Sequence, residues 1–233
     1  MKRLLFLVAM SLMTVAATAQ QKDWAKFGRF VEANKSVVES PDAVFMGNSI
    51  TEQWAEFDPE FFQKNNFVGR GISGQTTSEM LVRMRQDVIG LNPKAVVIMA
   101  GINDIAMNNG YISLENIFGN IVSMCELAKA NGIKVILCSV TPCLQFRWRK
   151  ELEPAQPIRD LNKMIKEYAV ANKIAYVDYH SALTTPEGGM PEKWSKDGCH
   201  VNLECYRSVM EPLVCDAVNK VLKIKKNPRQ AIK

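Results

Sequence analysis

The sequence predicts an α/β fold, a three-layer sandwich in which helices cover both faces of a five-stranded parallel sheet. The 233-residue chain contains five short runs rich in β-branched and other apolar residues. Longer segments with helical periodicity separate these runs. The runs are apolar almost throughout instead of alternating with polar residues, which is typical of strands that are buried on both faces of a parallel sheet.

The five predicted strands follow from these apolar runs. They are Ala43–Met46, Phe67–Val68, Ala95–Met99, Lys134–Cys138 and Ala175–Val177. This number of strands, alternating with helices, favours a sandwich of the flavodoxin-like kind. Ligands of such sheets bind beyond the carboxyl ends of the strands, where the strand order reverses. The residues that follow each strand are therefore the first candidates for a functional site.

The predicted helices lie between these strands. Thr76 and Glu79 have the spacing of a capping box, which starts a helix after the second strand. In the next interval, apolar residues recur every three or four positions, at Ile117, Ile121, Met124 and Ala128. Asn131 and Gly132 are expected to end that helix. Three more helices are predicted at Trp24–Val38, Ile158–Ala171 and Asn202–Lys223.

The N-terminal residues 1–19 have the pattern of a secretory signal peptide. Lys2 and Arg3 precede an apolar run from Leu4 to Val15, and small residues follow it up to Ala19. The run is too short to span a membrane, so we expect no stable membrane insertion after cleavage. These features predict an exported protein, periplasmic or secreted. Residues 20–233 have a length that suits one hydrophobic core, and we expect a single domain there.

Charge and cysteine content argue against several classes of function. The formal net charge is +5, but basic residues are concentrated in the segment 220–233, which contains no acid. Such a short basic end is typical of a solvated helix terminus, and we expect no nucleic acid partner. Six cysteines show no metal-binding spacing, so no metal site and no cofactor are predicted. Cys125 and Cys138 are expected to be buried thiols, whereas Cys199 and Cys205 are close enough for a loop disulfide.

Four polar segments follow the strands or precede the last helix. They are Gly47-Asn48-Ser49-Ile50-Thr51, the segment 69–77 from Gly69 to Thr77, Ala100-Gly101-Ile102-Asn103-Asp104, and Asp197-Gly198-Cys199-His200. Each segment alone is compatible with ordinary turn chemistry. Together they bring a hydroxyl, an imidazole, a carboxylate and several hydrogen-bond donors to one edge of one sheet.

These residue types are those of a serine hydrolase. Ser49 is the candidate nucleophile and His200 the base that removes its proton, while Asp197 can orient the imidazole through a tight turn. A tetrahedral oxyanion also needs fixed donors, each of which lowers the barrier by about 3 kcal/mol. The candidate donors are the backbone N–H groups of Ser49 and Gly74 and the side-chain amide of Asn103.

Alternatives remain at three of these positions. His180, the other of the two histidines, follows the fifth strand and is a rival base. Gly71 is a rival oxyanion donor, although Gly74 directly precedes the start of the predicted helix, where free N–H groups cluster. We expect Asp104 to support the turn after the third strand by capping local N–H groups.

The four segments resemble the four sequence blocks of the SGNH hydrolases, also called GDSL lipases and esterases. They occur in the family's order, and Gly74, Asn103 and the Asp197-x-x-His200 pattern match residue by residue. Asn48 departs from the family, which usually has Asp before the nucleophile, and this difference bears on loop support more than on proton transfer. The Gly-x-Ser-x-Gly elbow of other α/β hydrolases is absent, because Thr51 stands at its second glycine. The resemblance implies the α/β/α SGNH hydrolase fold and activity on carboxylic esters.

Two long loops are candidates for substrate recognition, Pro142–Pro157 and Leu183–Lys196. In them, Trp148 and Trp194 are able to stack on sugar rings, and Arg147 or Arg149 to hold a carboxylate. A purely structural role, covering the sheet edge, is the alternative for these residues.

The predicted function is an exported serine esterase that removes short acyl groups, acetyl above all, from carbohydrates through an acyl-enzyme. The carbohydrate part depends on analogy with exported members of the family. The alternatives are a lysophospholipase or thioesterase, an acyltransferase with the same residues, and an inert glycan-binding protein on a hydrolase scaffold. The expected partner is a small-molecule or glycan ester.

Overall fold

The computed structural model describes residues 23–224, so the predicted signal peptide and the basic residues beyond 224 lie outside it. Five strands form one parallel sheet in the order β2-β1-β3-β4-β5. They are β1 (Ala43–Gly47), β2 (Phe67–Gly71), β3 (Ala95–Met99), β4 (Lys134–Cys138) and β5 (Ala175–Val177). The predicted three-layer α/β/α fold is confirmed, and the bounds of the last three strands match the prediction.

The α-helices of the described residues occupy the intervals between strands and both ends of the chain. They are α1 (Val31–Lys35), α2 (Ser49–Phe57), α3 (Pro59–Lys64), α4 (Thr77–Asp87), α5 (Ile102–Ile105), α6 (Leu114–Ala130), α7 (Ala155–Ala171), α8 (Tyr179–Leu183), α9 (Leu203–Cys205) and α10 (Glu211–Leu222). Short 3-10 turns lie at Phe27–Phe30 and Ile89–Leu91, and a π-helical turn at Tyr206–Met210 joins α9 to α10.

Two hydrophobic cores lie on opposite faces of the sheet, because successive side chains of a strand point to opposite sides. Val44 and Met46 of β1 belong to the core that includes buried residues of α4, α6 and α7. Phe45 belongs to the other core, with Trp54 of α2 and Val214 of α10. All five residues of β1 are buried, as a central strand between two helical layers requires.

Strand β2 is longer than the sequence predicts. Gly69, Arg70 and Gly71 continue the ladder with β1 as far as Gly47. The two glycines allow helix α2 to approach the strand closely: a Cβ on Gly69 would lie 2.7 Å from Ala55 Cβ. On Gly71 it would lie 2.2 Å from the backbone nitrogen of Glu52. These glycines therefore serve packing, whereas the sequence suggested a turn.

The predicted helix Trp24–Val38 is wrong in extent. The helical part is limited to the turn Phe27–Phe30 and to α1, and Lys26 before them has a left-handed backbone with φ 55°. The carboxylate of Asp23 accepts the N–H groups of Phe27 and Gly28 at 2.9 and 2.7 Å. These local hydrogen bonds, which hydrophobic periodicity does not report, fix the first residues of this segment in a turn.

The C-terminal helix has nearly the predicted bounds, with Asn202 as its N-cap. Its π-helical turn has a local cause. Pro212 has no N–H to donate into a regular α-helix, and a widened turn before a proline accommodates the missing hydrogen bond. The short helix α8 after β5 was not predicted.

The strand order positions a site between β1 and β3. The chain leaves β1 for β2 on one side and returns to β3 on the other, so the order reverses between β1 and β3. Gly47 and Met99, the last residues of these strands, are register partners. Ser49 lies two residues after Gly47 and Asn103 four residues after Met99, one at each side of the switch point.

Candidate active site

Ser49 is the first residue of α2, at the carboxyl end of β1. The side chain of Asn48 caps this helix by accepting the N–H of Ile50 at 3.0 Å. Gly47 is needed for the tight strand-to-helix turn, because a Cβ there would lie 2.0 Å from Thr51 Oγ1. The N–H of Ser49 has no acceptor within the helix, and the helix dipole favours negative charge beside it.

The three residues predicted as a catalytic triad are joined by hydrogen bonds. Ser49 Oγ lies 2.9 Å from His200 Nε2, and His200 Nδ1 lies 2.7 Å from Asp197 Oδ2. Asp197 Oδ1 accepts the backbone N–H groups of Cys199 at 2.9 Å and His200 at 2.8 Å. The hydroxyl of Ser195 donates to the same oxygen at 3.0 Å. The carboxylate is thus held in one orientation toward the imidazole.

The hydrogen bonds at Asp197 also keep it ionised. Burial alone would raise the pKa of this carboxyl. The hydrogen bond with the His200 ring and those from the backbone N–H groups outweigh burial and hold the pKa well below its ordinary value. A carboxylate is therefore present beside the imidazole throughout the pH range in which a histidine base operates.

The rival base His180 lies in a different environment. It belongs to α8, and its backbone N–H donates to Ser139 Oγ at 2.8 Å. Burial lowers the pKa of its ring. Because Ser49 is hydrogen-bonded to His200, the geometry favours His200 over His180 as the partner of the serine.

The candidate oxyanion donors lie on the loops after β2 and β3. Gly74 has φ 81°, and its N–H has no hydrogen-bond partner among the described residues. Asn103 is buried and donates one amide hydrogen to the carbonyl of Gln75 at 3.0 Å, which leaves the second hydrogen for a ligand. Gly71 lies within β2 against the backbone of α2. These contacts favour Gly74 over Gly71.

Asp104 has a different partner from the one expected. Instead of capping its own turn, it accepts the N–H of Thr77 at 2.9 and 3.0 Å and the Thr77 hydroxyl at 2.6 Å. It thereby ties the start of α5 to the N-terminus of α4. Burial raises its pKa to about 6, against the opposing effect of the hydrogen bonds from Thr77. The interpretation of Asp104 as a cap of its own turn was wrong, because its carboxylate accepts hydrogen bonds from Thr77, 27 residues earlier in the chain, at the start of α4.

Asn108 is a residue of this site that the sequence did not single out. Its Nδ2 donates to the carbonyl of Gly74 at 3.2 Å, and its Oδ1 accepts from Trp148 Nε1 at 3.2 Å. Its backbone N–H donates to Asn103 O at 3.0 Å. The segment Asn108-Asn109-Gly110 has the composition of a plain turn, so the local sequence carried no signal for this role.

The three residues proposed to bind substrate have different surroundings. The Trp148 ring is 43% exposed and lies 6.2 Å from the His200 ring, centroid to centroid. Arg147 donates to the carbonyl of Lys196, next to Asp197, and so joins the two long loops. Trp194 packs against the core, with the ammonium of Lys193 4.4 Å from its ring centroid. Of the three, Trp148 is the one beside the hydrogen-bonded Ser49–His200 pair.

The loop disulfide that the spacing of Cys199 and Cys205 would permit is not formed. Both residues are free, buried thiols, and the thiol of Cys199 interacts with that of Cys143 instead. Cys125 and Cys138 are buried thiols, as predicted.

The described residues contain no group of three His, Cys, Asp or Glu side chains arranged to hold a metal ion. Within residues 23–224, none of the helices combines the length and the apolar character that a membrane crossing needs.

The parallel sheet, the serine at the end of β1 and its hydrogen-bonded histidine define a hydrolase of the α/β/α class. A family model for the GDSL-like Lipase/Acylhydrolase family matches residues 45–207. The chain therefore belongs to this family of serine hydrolases, which act on ester bonds. The resemblance seen in the four sequence blocks is confirmed.

Two solved structures are similar over most of this chain. A protein assigned as an acylhydrolase from Bacteroides fragilis NCTC 9343 is 47% identical, covers 87% of this chain and 100% of its own, and has a TM-score of 0.83. A GDSL-like lipase from Bacteroides thetaiotaomicron VPI-5482 is 45% identical, with 84% and 98% covered and a TM-score of 0.81.

A curated relative is the lipoprotein YqeF of Bacillus subtilis (strain 168). It is 26% identical over 152 residues, which are 64% of this chain and 54% of the relative. The matched part thus spans about half the length of that relative.

Proposed function

We propose that this protein is an exported esterase that removes short acyl groups, most simply acetyl, from carbohydrates, with Ser49 as nucleophile. The observation that carries the proposal is the continuous pair of hydrogen bonds from Ser49 Oγ to His200 Nε2 (2.9 Å) and from His200 Nδ1 to Asp197 Oδ2 (2.7 Å). A serine hydroxyl is a weak nucleophile until a base accepts its proton.

In the acylation step, Ser49 Oγ attacks the ester carbonyl carbon while its proton passes to His200 Nε2. Asp197 stabilises the imidazolium that forms, and its bond to Nδ1 fixes the tautomer that accepts at Nε2. The ester C–O bond then breaks, and His200 returns the proton to the leaving sugar oxygen. The product is an acyl group on Ser49 and a free sugar hydroxyl.

Three donors are available for the negative charge on the carbonyl oxygen of the tetrahedral intermediate. They are the N–H groups of Ser49 and Gly74 and the second amide hydrogen of Asn103. Each such donor, when fixed in advance, lowers the barrier by about 3 kcal/mol. The contacts from Asn108 to Gly74 and from Asn103 to Gln75 hold two of these donors in position.

In the deacylation step, His200 Nε2 accepts a proton from water, whose oxygen attacks the acyl carbon on Ser49. The Ser49–acyl bond breaks, and the proton returns to Ser49 Oγ. A carboxylic acid leaves and the enzyme is restored. The carboxyl of Asp197 stays ionised in this step as well, because hydrogen bonds hold its pKa low.

The short acyl group is supported by the position of Trp148. Its ring is fixed beside His200 by the bond to Asn108 and by Phe146, whose ring centroid is 5.0 Å away. A fixed aromatic ring beside the base favours a small acyl group over an extended chain. Carbohydrate as the alcohol part of the ester is supported by the exposure of Trp148, since aromatic rings with an apolar face suit the apolar face of a sugar.

Export is supported by the signal-peptide pattern of residues 1–19 and the predicted cleavage after Ala19. A direct check is the N-terminal sequence of the mature protein recovered from the periplasm or the medium. A chain that begins at Gln20 agrees with the proposal, and one that keeps Lys2 and Arg3 contradicts it.

The test of the proposed activity compares p-nitrophenyl esters of increasing chain length and then measures acetate released from acetylated glycans. We expect kcat/KM to be highest for the acetate ester and acetate to be released from at least one glycan. Ser49→Ala, with the same fold, is expected to lose both activities. A maximum at eight or more carbons would favour a lipid ester or thioester substrate instead.

A further inference from the structure

A cleft with a volume of about 410 Å³ lies beside the segment that carries Gly74. This volume is within the range of about 300–1,000 Å³ that is typical of small-molecule sites. Six of the residues that line it matter for its chemistry: Trp24, Thr76, Ser78, Glu79, Asn109 and Tyr111. They come from the N-terminal segment, the start of α4 and the loop after α5.

Two of these residues present aromatic rings to solvent at the cleft. Trp24 is 56% exposed and Tyr111 is 79% exposed. Aromatic rings contribute large apolar contact area to a ligand that covers them. An aromatic ring bordering a polar cleft is suited to a ligand that has an apolar face and hydroxyl groups at its edge.

The position of Trp24 is fixed by contacts of the two residues that follow it. The next residue, Ala25, is fully buried, and its carbonyl accepts from Gln75 Nε2 at 2.7 Å. Lys26 Nζ donates to the carbonyl of Ser73 at 3.5 Å. The N-terminal segment is therefore attached to the two residues that flank Gly74.

The cleft also has a free polar acceptor. Glu79 is 7% exposed, and its Oε2 accepts from the backbone and hydroxyl of Thr76 and from Asn109 Nδ2 at 2.7 Å. No group among the described residues donates to the second oxygen, Oε1. The hydroxyl of Ser78 accepts from Asn120 at 3.1 Å, so its own hydrogen can be donated to a ligand.

The charge of the lining selects against anions. Glu79 and Asp104 supply carboxyl groups, and none of the residues that line the cleft is Lys or Arg. An acidic sugar or a phosphate would meet like charge there. A neutral sugar ring matches the cleft better, because its hydroxyls can donate to Glu79 and its apolar face can cover an aromatic ring.

The cleft is lined by residues of two loops that also contribute to the proposed catalytic centre. Thr76 lies two residues after Gly74, and Asn109 follows Asn108, which is bonded to both Gly74 and Trp148. A sugar bound in the cleft would thus lie next to the loop that holds the oxyanion donor. A neighbouring unit of the same glycan could then present its ester to Ser49.

We propose that this cleft is a subsite for a neutral pyranose unit of the glycan, with Trp24 and Tyr111 as its aromatic platforms. Glu79 Oε1 accepts hydrogen bonds from the sugar hydroxyls. The link to ester cleavage rests on the proposed function, but the binding of a neutral glycan does not.

The first test measures binding to the Ser49→Ala protein by calorimetry, so that turnover does not interfere. The probes are neutral tetrasaccharides of xylose, mannose, glucose and N-acetylglucosamine, with tetragalacturonate as the acidic comparison. We expect at least one neutral probe to bind, and its affinity to fall at least tenfold with Trp24→Ala or Tyr111→Ala. Phe57→Ala, which truncates an exposed ring outside the cleft, is the matched control and should keep the affinity.

The proposal is overturned if none of the neutral probes binds, if tetragalacturonate binds best, or if neither aromatic substitution changes the affinity. Both rings are exposed, so unchanged thermal unfolding should confirm that the variants fold.

The second test separates the subsite from the proposed function. In protein with Ser49 intact, the ratio of kcat/KM for an acetylated glycan to that for p-nitrophenyl acetate should fall at least tenfold with Trp24→Ala. An unchanged ratio overturns the subsite while leaving the esterase in place. Glycan binding that depends on Trp24, without acetate release from any glycan, supports the subsite and contradicts the proposed substrate.

Discussion

The side chain of Asn108 donates a hydrogen bond of 3.2 Å to the carbonyl of Gly74, the glycine whose N–H faces no partner among the described residues. The same side chain accepts the indole N–H of Trp148, whose ring lies beside His200. The Asn108 amide therefore holds both the loop of the proposed oxyanion donor and the Trp148 ring next to the base. Such a side chain positions other groups, and no direct contact with the reacting atoms is needed for its effect.

Asn108→Ala is expected to lower kcat for p-nitrophenyl acetate about tenfold with a smaller change in KM, because loss of oxyanion geometry acts mainly on the transition state. Steady-state kinetics of the variant and of wild type are the measurement. Asn131→Ala, which removes an exposed amide at the end of α6, is the matched control. A change in KM alone, with normal kcat, would contradict the positioning role.

Asp104→Asn should change the pH dependence of stability. Burial raises the folded-state pKa of Asp104 to about 6, so the folded protein binds more protons than the unfolded chain between about pH 4 and 6. This carboxyl therefore makes the wild type less stable as pH rises through that window, by roughly 3 kcal/mol in total.

The measurement is urea unfolding of wild type and Asp104→Asn at pH 4 and pH 7. The free energy of unfolding of the variant, relative to wild type, should increase by about that amount between the two pH values. A difference that does not vary with pH would show that Asp104 titrates normally.

Asp197→Asn tests a pH dependence of stability opposite in sign to that of Asp104→Asn. The folded-state pKa of Asp197 is depressed, so its contribution to stability is present above the ordinary pKa of an aspartate and is lost as pH falls. The variant should be less stable than wild type at pH 7, and the gap should close in acid. Its kcat should fall by roughly 10³–10⁴, because the imidazole loses its orienting carboxylate. Activity within a factor of two of wild type would exclude the proposed relay.

Gly71→Ala tests the close approach of β2 and α2. The added Cβ would lie 2.2 Å from the backbone nitrogen of Glu52, which cannot move without shifting the helix that carries Ser49. We expect a loss of at least about 2 kcal/mol of stability in chemical denaturation. Gly119→Ala is the control in open space within α6, where alanine should stabilise by about 0.5–1 kcal/mol. Equal effects of the two substitutions would contradict this packing.

The features that the sequence predicted well are those encoded locally. The bounds of β3, β4 and β5 follow from their apolar runs, and the short segments that carry Ser49, Asp197 and His200 were expected to meet at one sheet edge, where the three side chains are hydrogen-bonded. Parallel strands bring their carboxyl ends together, so residues 151 positions apart meet once the fold class is known.

The features that the sequence missed depend on contacts between distant segments. Gly69 and Gly71 have the composition of a turn but lie in a strand, because helix α2 needs the space that a side chain would fill. Trp24 was assigned to a regular helix, whereas Ala25 and Gln75 attach its segment to the loop after β2. Asn108 lies in an ordinary turn sequence, and its function arises from partners 34 and 40 residues away.

The central claim is that Ser49 is the nucleophile, and covalent labelling tests it most directly. The folded protein is treated with a fluorophosphonate, digested, and the modified peptide is identified by mass spectrometry. The result we expect is one adduct on Ser49, slowed strongly in His200→Ala. Full esterase activity in protein whose Ser49 remains unlabelled, or an adduct on a different serine, would contradict the account.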